Sequence, residues 1–402
     1  MRSLAQKLLS LPPAASKPAV TALARGSLVA PTQTPEGPVQ LIERLHGPGW
    51  VQGRVAVAPA RLASAATLAR LSLDATLREV DPRSMLFVDT ETTGLRGGAG
   101  TLPFLIGLAW FEGESLKVRQ LFLGQPGEER PLLLMLAQRL AASALWVTFN
   151  GKCFDWPLLR TRYVLNRLAV PPARPHLDLL HCARRVFKRR LHATRLVDLE
   201  AAVLGFEREG DLDGGEIPAV YFDWLRHGAR SSLQVVLEHN VRDLVSMAAV
   251  LAELCRRYEM PSCDDAADDC LSLARVAWRA QDFERAKALA QLASSRVAEP
   301  AVGFEANVLT ARCAVRAGDF NEAIALTQRA ASDGRLPWSQ RAQAHLMLAR
   351  LFEHRLKNNE AALIHARLTT AAEAPDAHAR RVARLEARVR AARPSISTLP
   401  PD

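Results

Sequence analysis

The chain has 402 residues, of which 49% are hydrophobic, and this length suffices for two or three domains with separate cores. Its formal net charge is +10 and its sequence pI is about 9.8, which favours a polyanionic partner such as nucleic acid. Six thinly spread cysteines without a CxxC pair argue against a disulfide scaffold and a zinc site. No apolar run is long enough to span a bilayer. These features predict a soluble cytoplasmic protein, with a transit peptide at the N-terminus left open.

The first part of the chain, residues 1–80, is rich in Ala, Arg, Pro and Leu and shows little periodicity. Prolines at 12–13 and within 31–38 interrupt any long element. Short strands are expected over 51–57, and a helix is expected over 59–79. We interpret the whole stretch as a partly ordered N-terminal extension.

A strand that ends in two acids follows this extension. The apolar run 85–88 does not alternate, which is typical of a strand buried on both faces, and it leads directly into Asp89, Thr90 and Glu91. Alternate side chains of a strand share a face, so the two carboxylates project the same way. Two desolvated acids repel each other unless a cation is present. The alternative is a polar turn closed by Gly94, with both acids in water.

The segments after this strand predict a mixed sheet. Two strand-like runs, 103–111 and 116–123, flank a short polar turn and indicate a hairpin. A helix over 128–142 then leads into a further strand over 145–150. Three meandering strands, a crossover helix and a fourth strand place the first strand near the centre of the sheet.

A third acid, Asp155, comes shortly after this fourth strand, in the segment NGKCFDWPLL (150–159). Its position before Pro157 is also that of a simple helix N-cap. The turn residues Asn150 and Gly151 would bring it to the same edge of the sheet as Asp89.

A long amphipathic helix is predicted over 231–255, and it carries the last two candidates. His239 and Asp243 are four residues apart and therefore lie on one face of this helix. The alternative is a surface pair or a hydrogen bond within the helix.

The chain supplies four carboxylates in order, first the Asp-x-Glu pair and then two single Asp residues. This set suits phosphoryl transfer assisted by two metal ions. In such sites one metal lowers the pKa of the attacking water and the other stabilises the leaving oxygen. Oxygen ligands of this kind favour Mg²⁺ or Mn²⁺, and two ions are expected. A group that titrates near neutral pH, such as His239, then takes the proton of the water.

From about residue 266 the sequence becomes helical, Ala-rich and repetitive. AWRAQDFERAKALA (277–290) matches AVRAGDFNEAIALT (314–327), and LKNNEAALIHA (356–366) is a fainter third copy. Paired helices with Ala at their crossing are typical of helical-hairpin repeats and resemble tetratricopeptide repeats. An ordinary Ala-rich bundle is the alternative. Either form suits a binding module for a protein partner.

The order VDTETTG (88–94), NGKCFDWPLL and HNVRDLVSM (239–247) resembles the DEDD-type 3′–5′ exonuclease superfamily. Residues 176–191 and 196–225 resemble its YprB-type branch of ribonuclease H-like domains, which commonly carries tetratricopeptide-like repeats.

The resemblance implies an α/β fold with a ribonuclease H-like mixed five-stranded sheet and flanking helices, followed by an all-α repeat domain. The implied domains are 81–260 and 265–392. By motif match, the metal ligands are Asp89, Glu91, Asp155 and Asp243.

His239 departs from the family pattern. Members place a Tyr four residues before the last Asp or a His five residues before it, whereas this sequence has a His at the four-residue spacing. The difference rotates the side chain by about 100° around the helix. His239 is therefore assigned to catalysis either as the base or as a group that orients water or phosphate.

The substrate contacts are predicted near these motifs. A dense basic run follows the second ligand segment, and phosphate contact is weighed there against a solvated charged face. The predicted substrate-binding residues are Thr92, Asn150, Arg184, Arg185, Lys188 and Arg189. Asp178 is considered either as a support of the site or as a helix cap. Asp211 and Asp213 are expected to build a turn, and Glu216 to cap the next helix.

Together these patterns predict a metal-dependent nuclease that hydrolyses single-stranded DNA or RNA, with 3′–5′ exonuclease activity implied by the resemblance. The alternative is a catalytically inactive nucleic-acid-binding scaffold whose repeats recruit a partner. The complete set of four acids favours the enzyme. The unusual spacing of His239 leaves the inactive scaffold as an alternative.

Overall fold

The structure is a computed structural model, and it describes residues 31–94, 100–228, 230–296 and 299–392. The first thirty residues of the predicted extension lie outside these ranges, as does the end of the chain after residue 392. Within the described ranges, no helix is both long enough and apolar enough to cross a bilayer.

Nine strands and fourteen α-helices make up the described part of the chain. The strands are β1 (Thr32–Thr34), β2 (Gly37–His46), β3 (Val51–Gln52), β4 (Val55–Ala56), β5 (Met85–Thr92), β6 (Pro103–Glu112), β7 (Ser115–Phe122), β8 (Leu145–Thr148) and β9 (His176–Asp178). The helices of the first half are α1 (Ala65–Ser72), α2 (Glu129–Ala141), α3 (Asp155–Leu165), α4 (Leu179–Leu191), α5 (Leu196–Leu199), α6 (Ile217–His227) and α7 (Arg230–Glu259). Those of the second half are α8 (Ala267–Arg279), α9 (Phe283–Ser294), α10 (Pro300–Ala317), α11 (Phe320–Ser332), α12 (Trp338–His354), α13 (Asn359–Ala366) and α14 (Pro375–Ala392). Short 3₁₀ turns lie at Ala58–Leu62, Ala75–Glu79, Pro82–Ser84 and Pro126–Glu128, and α5 continues as a π-helical turn, Glu200–Leu204.

The main sheet has seven strands in the order β1-β2-β7-β6-β5-β8-β9. Strand β5 pairs with β6 antiparallel and with β8 parallel, and β9 is parallel to β8. The predicted mixed sheet with the DxE strand near its centre is therefore confirmed. The carboxyl ends of β5, β8 and β9 meet at one edge of the sheet because these three strands run in the same direction.

The sheet is wider than the five strands that we predicted. Strand β2 pairs antiparallel with β7, from Gln40 opposite Phe122 to His46 opposite Leu116, and β1 pairs with β2. Val39 and Ile42 of β2 are buried in the core beneath the sheet. A free edge strand attracts further pairing, and here residues that we assigned to the extension cover the edge of β7.

The helix expected over 59–79 is broken in the structure. A 3₁₀ turn, α1 and a second 3₁₀ turn replace it. The break occurs at Leu73, which has φ +57° and ends α1 in the left-handed conformation. The Asp74 side chain then accepts from the backbone N–H of Thr76 and starts the next turn.

Helix α7 joins the two cores that lie on opposite faces of the sheet. Met85 and Phe87 of β5 face one core, and Leu86 and Val88 face the other. The early turns of α7 pack in the second core through Leu233, whereas its later turns pack in the first. The helix thus passes beside the sheet, and its middle turns come close to the end of β5.

The second half of the chain folds as three successive helix pairs and a final helix. The second helix of each pair begins at a side-chain cap, with Asp282, Asp319 and Asn358 each accepting from a backbone N–H three residues later. These caps fall at matching places in the three sequence copies. The helices α8 and α9 share one continuous core with α4 and α7. The domain limits that we predicted, and the tetratricopeptide-like classification, stay predictions.

Candidate active site

The end of β5 presents two acids to a partly enclosed edge of the sheet. Asp89 and Glu91 lie two residues apart, and the pairing with β6 shifts in register directly after Glu91. Glu91 is buried, with 9% of its surface exposed. The strand geometry therefore fixes both carboxylates in an environment that solvates them poorly.

The third acid is delivered by the turn after β8. Asn150 adopts φ +68°, a left-handed conformation that Asn tolerates well, and the turn leads into α3. Asp155 is the first residue of α3, and Phe154, not Asp155, occupies the N-cap. The Thr90 hydroxyl donates to Asp155 Oδ1 at 2.5 Å. This bond from the residue between Asp89 and Glu91 brings Asp155 to the end of β5.

Helix α7 supplies the fourth acid and an imidazole. His239 Nε2 lies 3.9 Å from Glu91 Oε1 and 3.6 Å from Asp243 Oδ2. Asn240, next to His239, donates from its amide nitrogen to Asp89 Oδ2 at 2.8 Å. The described structure thus brings together all five residues that we predicted to be catalytic.

The protonation of these acids reflects burial and their mutual repulsion. Burial raises the pKa of Asp89 well above its usual value, and the charges of Asp243, Glu91 and Asp155 add to the effect. Burial also raises the pKa of Glu91 to about 8 and that of Asp155 to about 6. Carboxylates placed in this way favour a compensating cation.

The donor set suits a divalent metal. Glu91, His239 and Asp243 each offer one ligand atom, and the three atoms lie within 4.8 Å of one another. Asp89 and Asp155 interact electrostatically with the same group of acids. Hard oxygen donors predominate, as Mg²⁺ and Mn²⁺ prefer. The described residues therefore include a group that could hold a divalent metal ion.

His239 is held at its other ring nitrogen. Nδ1 lies 2.8 Å from Asp211 Oδ1, which directs Nε2 toward Glu91 and Asp243. Burial alone would lower the pKa of His239, but the Asp211 hydrogen bond and the nearby acid charges outweigh it and raise the pKa to about 9. Without a metal, His239 is therefore protonated at neutral pH.

Our sequence interpretation missed Arg208, which contacts three acids at the site. Its guanidinium donates to Glu200 Oε2 at 2.5 Å and to Asp211 Oδ2 at 2.9 Å, and it also bonds Asp243. The Arg208 and Glu200 side chains are 7% and 1% exposed. Arg208 thus supplies a fixed positive charge beside the acids. It lies in an irregular segment, where sequence periodicity carries no signal.

The roles predicted for the acids near Arg208 need correction. Asp211 was expected to build a turn, but it pairs with His239 and Arg208, and these bonds lower its pKa against the effect of burial. Asp213 does form the turn, accepting from Gly215 N at 2.9 Å. Glu216 occupies the N-cap of α6, but its side chain makes no capping bond.

Asp178 lies beside the site as a support of its backbone. Its carboxylate accepts from the N–H of Asn150 at 2.8 Å and from that of Leu180 at 3.1 Å. The side chain therefore holds the turn that leads to Asp155 and also caps α4. Thr92, predicted to contact substrate, is buried and donates its hydroxyl to Gly94 O at 2.8 Å.

The basic run on α4 divides into two sets. Arg189 pairs with Asp268 at 2.5 Å and with Glu305 at 2.8 Å, so its guanidinium binds the second half of the chain. Arg185 is half-buried and donates to Leu71 O. Arg184 and Lys188 are exposed on adjacent turns and form no ion pair among the described residues. Because α4 begins at the site edge and rises about 1.5 Å per residue, its later residues lie progressively farther away.

Gly107 on β6 is predicted to be intolerant of substitution. A β-carbon at this position would overlap the side-chain amide of Asn240, which bonds Asp89 and accepts from Gln120 at 2.8 Å. We expect Gly107→Ala to lower the free energy of unfolding by about 1–3 kcal/mol, measured by urea denaturation. Gly127→Ala is the control, because a β-carbon there meets open space. Equal losses in the two variants would contradict this prediction.

Comparisons with known proteins support the ribonuclease H-like fold. Residues 86–255 match a family described as the RNase H superfamily, and the match includes Asp89 through Asp243. The chain is 37% identical over 176 residues to the protein named "Uncharacterized protein YprB" of Bacillus subtilis (strain 168). That alignment covers 43% of this chain and 42% of the relative. The predicted ribonuclease H-like fold and the similarity to YprB are confirmed, whereas the DEDD subtype and the repeat class stay predictions.

Proposed function

We propose that this chain, with its RNase H superfamily domain at residues 86–255, is a metal-dependent nuclease of the DEDD type. Its proposed activity is 3′–5′ exonuclease cleavage of single-stranded DNA or RNA. The observation that supports this function best is the convergence of Asp89, Glu91, Asp155 and Asp243 at one edge of the sheet. Several carboxylates crowded into one buried site are costly to ionise even when one of them pairs with Arg208, so such a cluster favours a functional explanation.

The four acids would hold two Mg²⁺ or Mn²⁺ ions. When bound, such ions activate a water and stabilise the leaving oxygen. The neighbouring residues fix the ligands in place. Thr90 holds Asp155, and Asn240 holds Asp89. Arg208 bonds Oδ1 of Asp243, and Oδ2 of Asp243 lies near Nε2 of His239.

His239 is proposed to handle the proton of the attacking water. Its bond to Asp211 places the Nδ1 proton between the two side chains and leaves Nε2 directed at the site. The charges of Asp243 and Glu91, which help to raise its pKa, are among those that the ions would neutralise, so metal binding favours the neutral imidazole even though the Asp211 bond remains. Arg184 and Lys188, which are exposed on one face of α4, are the proposed phosphate contacts from the basic run.

A second candidate function is an inactive nucleic-acid-binding scaffold. The ion pair between Arg208 and Asp243 favours it, because the guanidinium supplies charge at a carboxylate that a metal would otherwise use. The two candidates differ in whether the acids support cleavage. Both include nucleic acid as partner.

An end-labelled cleavage assay tests the proposal. Wild type is expected to shorten 5′-labelled single-stranded DNA or RNA stepwise from the 3′ end with Mg²⁺ or Mn²⁺, and to leave circular single-stranded DNA intact. Asp89→Asn keeps the side-chain shape, and we expect it to reduce the rate by about a hundredfold or more. Asp81→Asn, at an exposed acid paired with Arg83, serves as the control. Intact substrates with folded wild type would overturn the nuclease, and cleaved circles would overturn the exonuclease mode.

A further inference from the structure

The helical second half contains a groove with a distinct chemical character. It encloses about 930 Å³ between α8, α10 and α12 and the start of α11. Four arginines line it, namely Arg312, Arg316, Arg350 and Arg355. No Asp or Glu side chain is among the residues that line the groove in the described part of the chain.

These arginines are not held in salt bridges within the described structure, although the charge of Arg350 also acts on Glu373. None of the four forms an ion pair with a carboxylate there, whereas Arg381, Arg384 and Arg388 on α14 all converge on the buried Glu353. Arg312 and Arg316 are exposed and four residues apart on α10, so they share one face. The groove therefore concentrates positive charge that its own chain leaves available.

Aromatic rings order two of these guanidinium groups. Arg312 lies over the Trp278 ring at 4.6 Å from the centroid, and Arg316 lies over the Phe283 ring at 4.1 Å. Stacking of this kind holds the flat guanidinium in place and leaves its N–H edge for an anion. Trp278 and Phe320, both part of the groove wall, are only partly buried.

We propose that this groove binds single-stranded nucleic acid. Several arginines spaced along a groove match the repeating phosphates of a strand, and guanidinium planes and aromatic rings are the surfaces on which unpaired bases stack. The choice of a strand over an acidic peptide rests on the proposed function, because the same chain carries a site for phosphodiester chemistry. The second half of the chain would then hold substrate, in addition to any protein partner.

A binding experiment in EDTA tests the groove separately from cleavage. Fluorescence anisotropy of a 5′-labelled 20-nucleotide dT strand would be measured with full-length protein at several salt concentrations. For Arg312→Gln/Arg316→Gln/Arg350→Gln we expect affinity to fall by about tenfold or more. In a plot of log affinity against log salt concentration, the magnitude of the slope should also fall by about one for each phosphate that is no longer neutralised. A melting curve confirms that the variant is folded.

The matched control removes the same charge elsewhere in the second half. Arg329→Gln/Arg380→Gln/Arg390→Gln changes three arginines outside the groove, and we expect its affinity to stay within about twofold of wild type. Equal losses in both variants, or no loss in the groove variant, would overturn the proposal. So would tighter binding of a labelled polyglutamate peptide than of the strand. Failed cleavage with intact groove binding would overturn only the nuclease.

Discussion

Arg208→Gln is expected to lower the free energy of unfolding by about 3–5 kcal/mol, the usual cost of removing one partner of a buried ion pair. The substitution leaves Glu200, whose side chain is 1% exposed, without its counter-ion. Ser246 also donates to Glu200, but a hydroxyl bond does not replace a guanidinium charge. Urea denaturation of the metal-free protein measures the effect.

The control and a second substitution make this prediction specific. Arg195 pairs with Asp198 on the surface, with 76% of its side chain exposed, so Arg195→Gln is expected to cost far less stability than Arg208→Gln. Adding Glu200→Gln to Arg208→Gln should recover part of the loss, because Glu200 then no longer carries a buried charge without its counter-ion. A loss in Arg208→Gln no larger than that in Arg195→Gln would show that the network does not stabilise the fold.

Three of the four acids of the site were predictable because they lie on regular elements, whereas Asp155 was predicted from its motif and the preceding turn. Asp89 and Glu91 end an unbroken apolar strand, and Asp243 lies on a long amphipathic helix. Such local patterns of apolar residues identify a strand or a helix. The order of the strands and helices then places their side chains at one edge of the sheet. The central strands of the sheet were predictable for the same reason.

The rest depends on contacts between distant segments. Arg208 joins Glu200, Asp211 and Asp243, and only the folded chain reveals that these four meet. Strand β2 was missed because its buried positions do not alternate strictly, and its place is fixed by pairing with β7. The positive charge of α4 could be read from the sequence, but the pairing of Arg189 with Asp268 and Glu305 could not. A sequence shows which side chains carry charge, and long-range packing decides which of them stay available.

The metal-free protein is expected to lose stability as the pH rises from about 5 to about 9. Glu91 has a pKa of about 8 in the folded chain against an ordinary 4.5, so the folded state binds its proton more tightly. Stability from this group is complete below pH 4.5 and is lost as the pH passes 8. His239, raised from 6.5 to about 9, acts in the same direction, with its contribution lost as the pH passes 9.

Melting curves in EDTA and in Mn²⁺ across this pH range test the coupling between the acids and a cation. In EDTA we expect the site to contribute a loss on the order of a few kcal/mol, since each pKa unit corresponds to about 1.4 kcal/mol. Mn²⁺ should stabilise the protein most at high pH, where the acids are ionised and repel one another. Glu91→Gln removes one titrating group and one ligand, so it should flatten the EDTA profile and weaken the Mn²⁺ effect together. If Glu91→Gln keeps the wild-type pH profile and the full Mn²⁺ stabilisation, Glu91 is neither a titrating member of the cluster nor a metal ligand.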